Sequence, residues 1–218
     1  MRVGVLGGTG PAGKALATRL ASVGVPVVIG SRVEERAHQA CEDLKAAWPD
    51  RDLDLEGGEN RAAADADLVV VATPWDGAPA TAHSLADQLT GKVLVSMANA
   101  LTRGPNGFEA MIPSRGSVAA AIQSAAPDAL VASAFHHLPA KELGELGLEL
   151  EADVLICSDH PEATEATADL VRRVPGLRPL DAGGLAAAAP MEAFTAVLLQ
   201  LNRRYKTRVS PVFRGIDS

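Results

Sequence analysis

Six residues near the start of the chain, Gly8-Thr9-Gly10-Pro11-Ala12-Gly13, restrict what it can become more than anything after them. They follow the small and apolar run Val3-Gly4-Val5-Leu6-Gly7 and open a helix-like run from Ala12 to Val23. A strand ending at Leu6 or Gly7 must turn at once into a helix starting near Pro11. Gly8 is expected to supply that turn, where a side chain would be strained. Gly10 lets a pyrophosphate approach the backbone, and Gly13 lets the helix pack close to the strand. Pro11 suits the first helical position, because its missing N–H costs no helix bond. The helix N-terminus offers free N–H groups and a partial positive charge to the phosphates. Such a glycine pattern carries weight only between a strand and a helix, which is its context here. The competing explanation is a glycine-rich turn with no ligand.

The end of the second strand distinguishes between dinucleotides. Pro26-Val27-Val28-Ile29-Gly30 runs into Ser31-Arg32, with Arg36 one helical turn later. An NAD site usually places an acid here to hold the ribose 2′-hydroxyl, and that acid would repel a 2′-phosphate. A guanidinium matches a phosphate in geometry and charge, and a hydroxyl donates to it. Ser31, Arg32 and Arg36, with Thr9 in the glycine loop, therefore point to NADP. Pairing of both arginines with Glu34 and Glu35 on a solvated helix face is the alternative. It leaves the missing acid unexplained.

Strand-like and helix-like runs alternate along the chain. Strands are expected at 2–6, 27–29, weakly at 53–55, and at 67–73, 92–96 and 130–134. Helices are expected at 11–24, 33–47, near 59–64, and at 77–89 and 115–126, with a long loop from 96 to about 114. The run Leu68-Val69-Val70-Val71-Ala72 reads as a strand covered on both faces. The fold class is α/β, a Rossmann-type doubly wound parallel sheet with a small C-terminal α/β extension. The extension holds a strand at 153–157, a helix at 161–174, a strand or turn at 178–181 and an apolar helix at 190–205. The expected division is an NADP-binding domain over 1–140 and a smaller domain over 141–218, with a soft boundary near 140–147.

Bulk properties narrow the function classes. The chain has 218 residues, 47% of them hydrophobic, ample for a buried core. Its formal net charge of −7 leaves no basic footprint for nucleic acid. No apolar run approaches the roughly 18 residues that span a bilayer. The N-terminal run breaks at the glycine loop, so it reads as a strand and not a signal peptide. Cys41 and Cys157 are far apart, without metal-like spacing, and read as small core residues in a reducing cytoplasm. The five histidines show no metal spacing either, so no metal is expected.

In an open parallel sheet, ligands bind beyond the carboxyl ends of the strands. This selects Thr73-Pro74-Trp75 after strand four and Met97-Ala98-Asn99 after strand five. After strand six it selects His136-His137-Leu138-Pro139-Ala140. These loops are small and apolar, with little acid–base equipment. A dehydrogenase of an alcohol or ketone moves a proton as well as a hydride. His136, His137 and Lys141 keep that reading open, and structural histidines holding backbone are equally compatible with the sequence.

The chain resembles the F420H2:NADP oxidoreductases. The matching residues are Met1-Arg2-Val3, Leu6-Gly7-Gly8-Thr9-Gly10, Gly13-Lys14, and Gly30-Ser31-Arg32 with Glu34-Glu35. Further along they are Pro74-Trp75, Val95-Ser96, Ser133-Ala134, His136, Pro139-Ala140 and Gly176-Leu177-Arg178-Pro179-Leu180-Asp181-Ala182-Gly183. The last stretch is the most specific, since an ordinary Rossmann domain has no reason to carry it. The resemblance implies NADP and the deazaflavin coenzyme F420 held face to face. Hydride would pass directly between them with no obligatory protein acid or base, so no catalytic side chain is expected. It also implies that the loops after strands four, five and six line the deazaflavin pocket, with His136, His137, Leu138, Pro139 and Ala140 against the deazaflavin. Two loops depart from the archaeal pattern. Ser96-Met97-Ala98-Asn99-Ala100 replaces a more Pro/Val-rich run, and His137-Leu138 stands where Thr-Ile is typical; the tail after Leu201 differs as well. Reduction of a small carbonyl or imine, and non-catalytic NADP sensing, remain alternatives. The apolar helix 190–205 sits in a fragment too small to bury it, which favours a homodimer.

Overall fold

The structure, a computed structural model, describes residues 1–105 and 107–216. In chain order its elements are β1 (Val3–Leu6), α1 (Pro11–Ser22), β2 (Val27–Ser31), α2 (Glu34–Ala47), β3 (Leu55–Glu59), α3 (Asn60–Ala64) and β4 (Leu68–Val71). There follow α4 (Ala78–Ser84), α5 (Ala86–Leu89), β5 (Val93–Ser96), β6 (Leu101–Gly104), β7 (Gly107–Ala110), α6 (Val118–Ala125) and β8 (Leu130–Ser133). The remainder is α7 (Ala140–Gly144), β9 (Ala152–Ser158), α8 (Pro161–Arg172), β10 (Leu177–Asp181), a 3₁₀ turn (Leu185–Ala187) and α9 (Ala188–Tyr205).

The main sheet has the order β10-β9-β8-β5-β4-β1-β2-β3. The pairs from β3 through β8 are parallel, in registers such as Val5 with Ile29 and Val70, Val70 with Val95, and Val95 with Ala132. Alternate residues of each strand enter opposite faces, so the central strands β1, β2, β4, β5 and β8 are largely apolar on both, whereas the edge strand β3 exposes Glu56 and Glu59. Val3, Val5, Leu68 and Val70 join α1, α2, α7 and α8 in one core layer. Leu6, Val69 and Val71 join α3, α4, α6 and α9 in the other. After β1 the chain builds outward through β2 and β3, then returns to lay β4 on the other side of β1. That reversal opens a crevice at the carboxyl ends of β1 and β4, the place where open α/β sheets bind ligands.

The extension continues this sheet. β9 runs antiparallel to β8, with Ala132 opposite Ser158, and β10 runs parallel to β9. Residues 207–216 return over this edge. Arg178 donates through Nε and Nη2 to both carboxylate oxygens of Asp153, at 2.6 and 2.8 Å, and also to the Phe213 and Ile216 carbonyls.

Three local expectations need correction. The loop after β5 contains a hairpin, β6 with β7, in the register Thr102 opposite Glu109 and Arg103 opposite Phe108. The expected helix over 77–89 breaks at Leu85 into α4 and α5. The weak third strand lies later than 53–55, over the glycine-bearing Leu55–Glu59.

Candidate active site

The glycine loop is built as a tight turn, but its left-handed residue is Gly7 (φ +67°), not Gly8. A Cβ on Gly7 would also lie 2.5 Å from Thr73 Cγ2. Gly8 is confined for another reason: a Cβ there would meet Val5 O at 2.9 Å. Gly13 packs against Gly8, where a Cβ would stand 2.8 Å from Gly8 Cα. Gly10 differs, since a Cβ there would meet nothing closer than Gly7 O at 3.7 Å. Its space opens towards the crevice, as a backbone meant to face a pyrophosphate requires. The Lys14 N–H makes the first bond of α1, to Gly10 O at 2.9 Å, so the N–H groups of Ala12 and Gly13 have no helical acceptor.

The sequence reading missed Asn60. From the first position of α3 its Oδ1 accepts the Gly7 N–H at 3.1 Å, while Gly8 N–H donates to Gly30 O at 2.9 Å. These two bonds lock the loop onto α3 and β2. An asparagine opening a short helix reads in sequence as an ordinary terminus, so nothing signalled this partner.

At the end of β2, Ser31 is buried and its Oγ accepts the Val33 N–H at 3.2 Å. Arg32 and Arg36 stand exposed on the rim. Glu34 lies 3.4 Å from His38, and among the described residues no carboxylate is within ion-pair distance of Arg32 or Arg36. Solvated pairing with Glu34 and Glu35 therefore does not account for them.

One cleft of about 1220 Å³ joins these parts. Gly7, Thr9, Gly10, Pro11 and Ala12 form its middle, and Ser31, Arg32, Val33, Arg36 and Asn60 one end. Ala72, Thr73, Pro74, Trp75 and Asp76 line it beyond β4, and Met97, Ala98, Asn99 and Leu101 beyond β5 and into β6. Ala80, Thr81 and Ser84 of α4 complete a wall that sequence reasoning did not assign. Gly8 and Gly13 stand behind the loop and shape it. Thr73 Oγ1 is enclosed without a hydrogen-bond partner among the described residues. A buried hydroxyl in that state is a group waiting for a ligand or a water.

The segment after β8 lies behind the cleft wall, so His136, His137, Leu138, Pro139 and Ala140 are not among its lining residues. Phe135 adopts φ +63°, and the His136 N–H bonds to Ala134 O at 2.8 Å, closing a three-residue γ-turn of the strained hand. His136 is 4% and His137 3% exposed. Burial, with neighbouring His137 second, lowers the His136 pKa to about 3. Burial also lowers that of His137, whose Nε2–H donates to Asp153 O at 2.9 Å. Both rings are neutral at physiological pH; that of His137 serves the Asp153 backbone, and His136 Nδ1 lies 3.4 Å from Ser133 Oγ. The His136 carbonyl reaches the cleft indirectly: it accepts Asn99 Nδ2 at 2.8 Å. Lys141, on α7, is also absent from the lining.

The cleft is thus cationic at one end, backbone-rich in the middle and apolar at the other. Among the described residues that line it, Asp76 is the one carboxylate, and there is no histidine, lysine or tyrosine. Such a site can bind and align two ring systems, but it is poorly equipped to move protons.

Comparison with known proteins agrees with this geometry. Residues 2–100 match the family model described as NADP oxidoreductase, coenzyme F420-dependent. The F420-dependent NADP reductase of Methanocaldococcus jannaschii is 33% identical over 95% of each chain. That of Methanothermobacter thermautotrophicus is 34% identical over 95% of this chain and 92% of its own. A crystal structure from Arthrobacter sp. FB24 superposes with a TM-score of 0.81, covering 98% of this chain and 100% of that one at 24% identity, which establishes the fold. With a glycine loop, an arginine-lined end to its cleft and full-length similarity to two such reductases, the chain belongs to the F420-dependent NADP reductase family.

Proposed function

We propose that this protein transfers hydride directly between NADP(H) and the deazaflavin coenzyme F420. The observation that carries the reading is the single cleft that runs from Arg32 and Arg36 to the apolar loops after β4 and β5. When bound, the two ring systems supply the redox chemistry between C4 of the nicotinamide and C5 of the deazaflavin. The protein supplies alignment and exclusion of water. Ser31, Arg32, Arg36 and Thr9 take the 2′-phosphate. Gly8, Gly10, Pro11, Ala12 and Gly13 shape or form the pyrophosphate cradle. Thr73, Pro74, Trp75, Met97, Ala98 and Asn99 hold the nicotinamide end. His136, His137, Leu138, Pro139 and Ala140 support the deazaflavin side from behind the wall, through the backbone they fix.

The division into an NADP-holding unit, 1–140, and a smaller unit, 141–218, belongs to the same reading. So does assembly as a homodimer through α9. Leu185–Tyr205 is long and apolar enough by composition to cross a membrane. We read it as an interface helix, because Glu192 and Thr195 on its inner side hydrogen-bond into the core. The two free, buried cysteines support a cytoplasmic enzyme, and the net charge of −7 one that takes no nucleic acid.

The experiment is an absorbance assay at the deazaflavin band with NADPH, run beside NADH and a panel of small carbonyls and imines. Loss of the oxidised band with NADPH, and inert carbonyls, is the expected result. Turnover of a carbonyl or imine with an unchanged deazaflavin band would overturn the assignment.

A further inference from the structure

Asn99 stands at the end of the cleft away from the arginines, and its amide is held by two neighbours. Its Nδ2 donates to the His136 carbonyl at 2.8 Å, and its Oδ1 accepts the Thr195 hydroxyl at 3.2 Å. The Thr195 oxygen is itself 3.4 Å from the His136 oxygen, so the three groups close a small ring on one side of the amide. This fixes which end is which. A flipped amide would set its oxygen against the His136 carbonyl, two acceptors with no proton between them. It also accounts for only one of the two Nδ2 hydrogens. The other points away from the ring, on a residue that lines the cleft.

Sheet order says what lies opposite that hydrogen. The phosphate cradle sits over β1 and β2, and the nicotinamide of a dinucleotide extends towards β4 and β5. Asn99 lies beyond β5 and is tied to the segment after β8 and to α9, so it borders the space past the nicotinamide. Its neighbours there, Met97, Ala98 and Leu101, offer no side-chain hydrogen bond.

We propose that Asn99 is a specificity-determining residue, whose pre-set amide N–H donates to a ring carbonyl of the second substrate, a pyrimidinedione carbonyl of the deazaflavin. The inference rests on the functional reading above and deepens it. A donor that cannot turn over rewards an acceptor at one position, and a ligand lacking that acceptor leaves the buried group unpaired.

The test compares Asn99→Leu and Asn99→Asp with the parent enzyme. F420 affinity is read by fluorescence titration, NADPH affinity by a separate titration, and folding by thermal melt. Asn99→Leu should weaken F420 binding roughly tenfold, the scale of one hydrogen bond with an unpaired partner, and weaken NADPH binding by clearly less, since Asn99 only borders the nicotinamide. Asn99→Asp should lose more at pH 8 and recover part of the loss at about pH 4, near the ordinary aspartate pKa, where the carboxyl regains a proton to donate. Unchanged F420 affinity in both folded variants, or equal losses for F420 and NADPH, would overturn the proposal. If Asn99→Leu fails to fold, the pH dependence of Asn99→Asp alone decides, and a flat profile rejects the donor role. A parent enzyme that does not bind F420 at all would instead reject the functional reading.

Discussion

Arg32 and Arg36 reach the rim of the cleft without a carboxylate partner, beside a buried serine hydroxyl. In a chain of net charge −7, cations kept free of the surrounding acids have a local task. Arg32→Ala should weaken NADPH binding by about 1.5–3 kcal/mol, the range for a hydrogen bond to a charged group, and leave NADH binding nearly unchanged. Parallel titrations with both nucleotides check this; matching losses would show that Arg32 does not read the 2′-phosphate. At this scale most of the residues that line the glycine-loop end of the cleft were legible, because charge and glycine spacing are local signals. The identity of the turning glycine was not. Whether Gly7 or Gly8 takes positive φ depends on how Thr73 and Asn60, more than fifty residues away, crowd the loop. The histidines misled for a related reason. His136 and His137 carry the residue type of a general acid, but enclosure behind the wall removes their charge, and enclosure is a tertiary property.

At the scale of elements, α9 is tied down by polar groups as much as by apolar ones. Glu192, 3% exposed, accepts the Val118 and Ala119 N–H groups at 2.8 and 3.1 Å, and so caps the N-terminus of α6 from another helix. Burial raises its pKa to about 7 against the ordinary carboxylate value, and the two backbone donors oppose that rise. Between the unfolded value near 4.5 and the folded value near 7, the native state binds the extra proton. This group therefore takes stability away as pH rises through that window, by on the order of 3 kcal/mol. Glu192→Gln should flatten the pH dependence of Tm between about 4.5 and 7, as followed by thermal melts. A variant with the parent's slope would mean that another group titrates there. The sequence predicted most elements because their apolar periodicity is strong. It missed the β6–β7 hairpin, where neither exposed strand shows an alternating apolar face. It also placed the third strand too early. Gly57 there looks like a strand breaker, yet a Cβ at that position would stand 2.6 Å from the backbone of Ala37 and His38. The glycine is what lets α2 lie against the strand.

For the whole molecule, one eight-stranded sheet carries both the cleft and the C-terminal extension. The strand reversal between β1 and β4 places the cleft, and α9 is tied to its Asn99 end through Thr195 and to α6 through Glu192. The outer side of α9 leaves Val197 51% and Tyr205 68% exposed. Light scattering at micromolar concentration should report a dimer, and Val197→Glu a monomer. A monomeric parent would remove α9 as an interface. The sheet and its reversal point were readable from the alternation of strands and helices. The enclosure of the extension's edge by Arg178 and the chain's own tail was not, since it rests on contacts between residues 25 to 60 positions apart.

The central claim, direct transfer with no proton-moving side chain, meets its sharpest test in the fate of the transferred hydrogen. NADPH deuterated on one face of nicotinamide C4 should deliver the label to C5 of the reduced deazaflavin, with none lost to water. That is the outcome required of a cleft whose one carboxylate is Asp76 and whose histidines are buried and neutral. Label washed into solvent during transfer would contradict direct passage between the two rings.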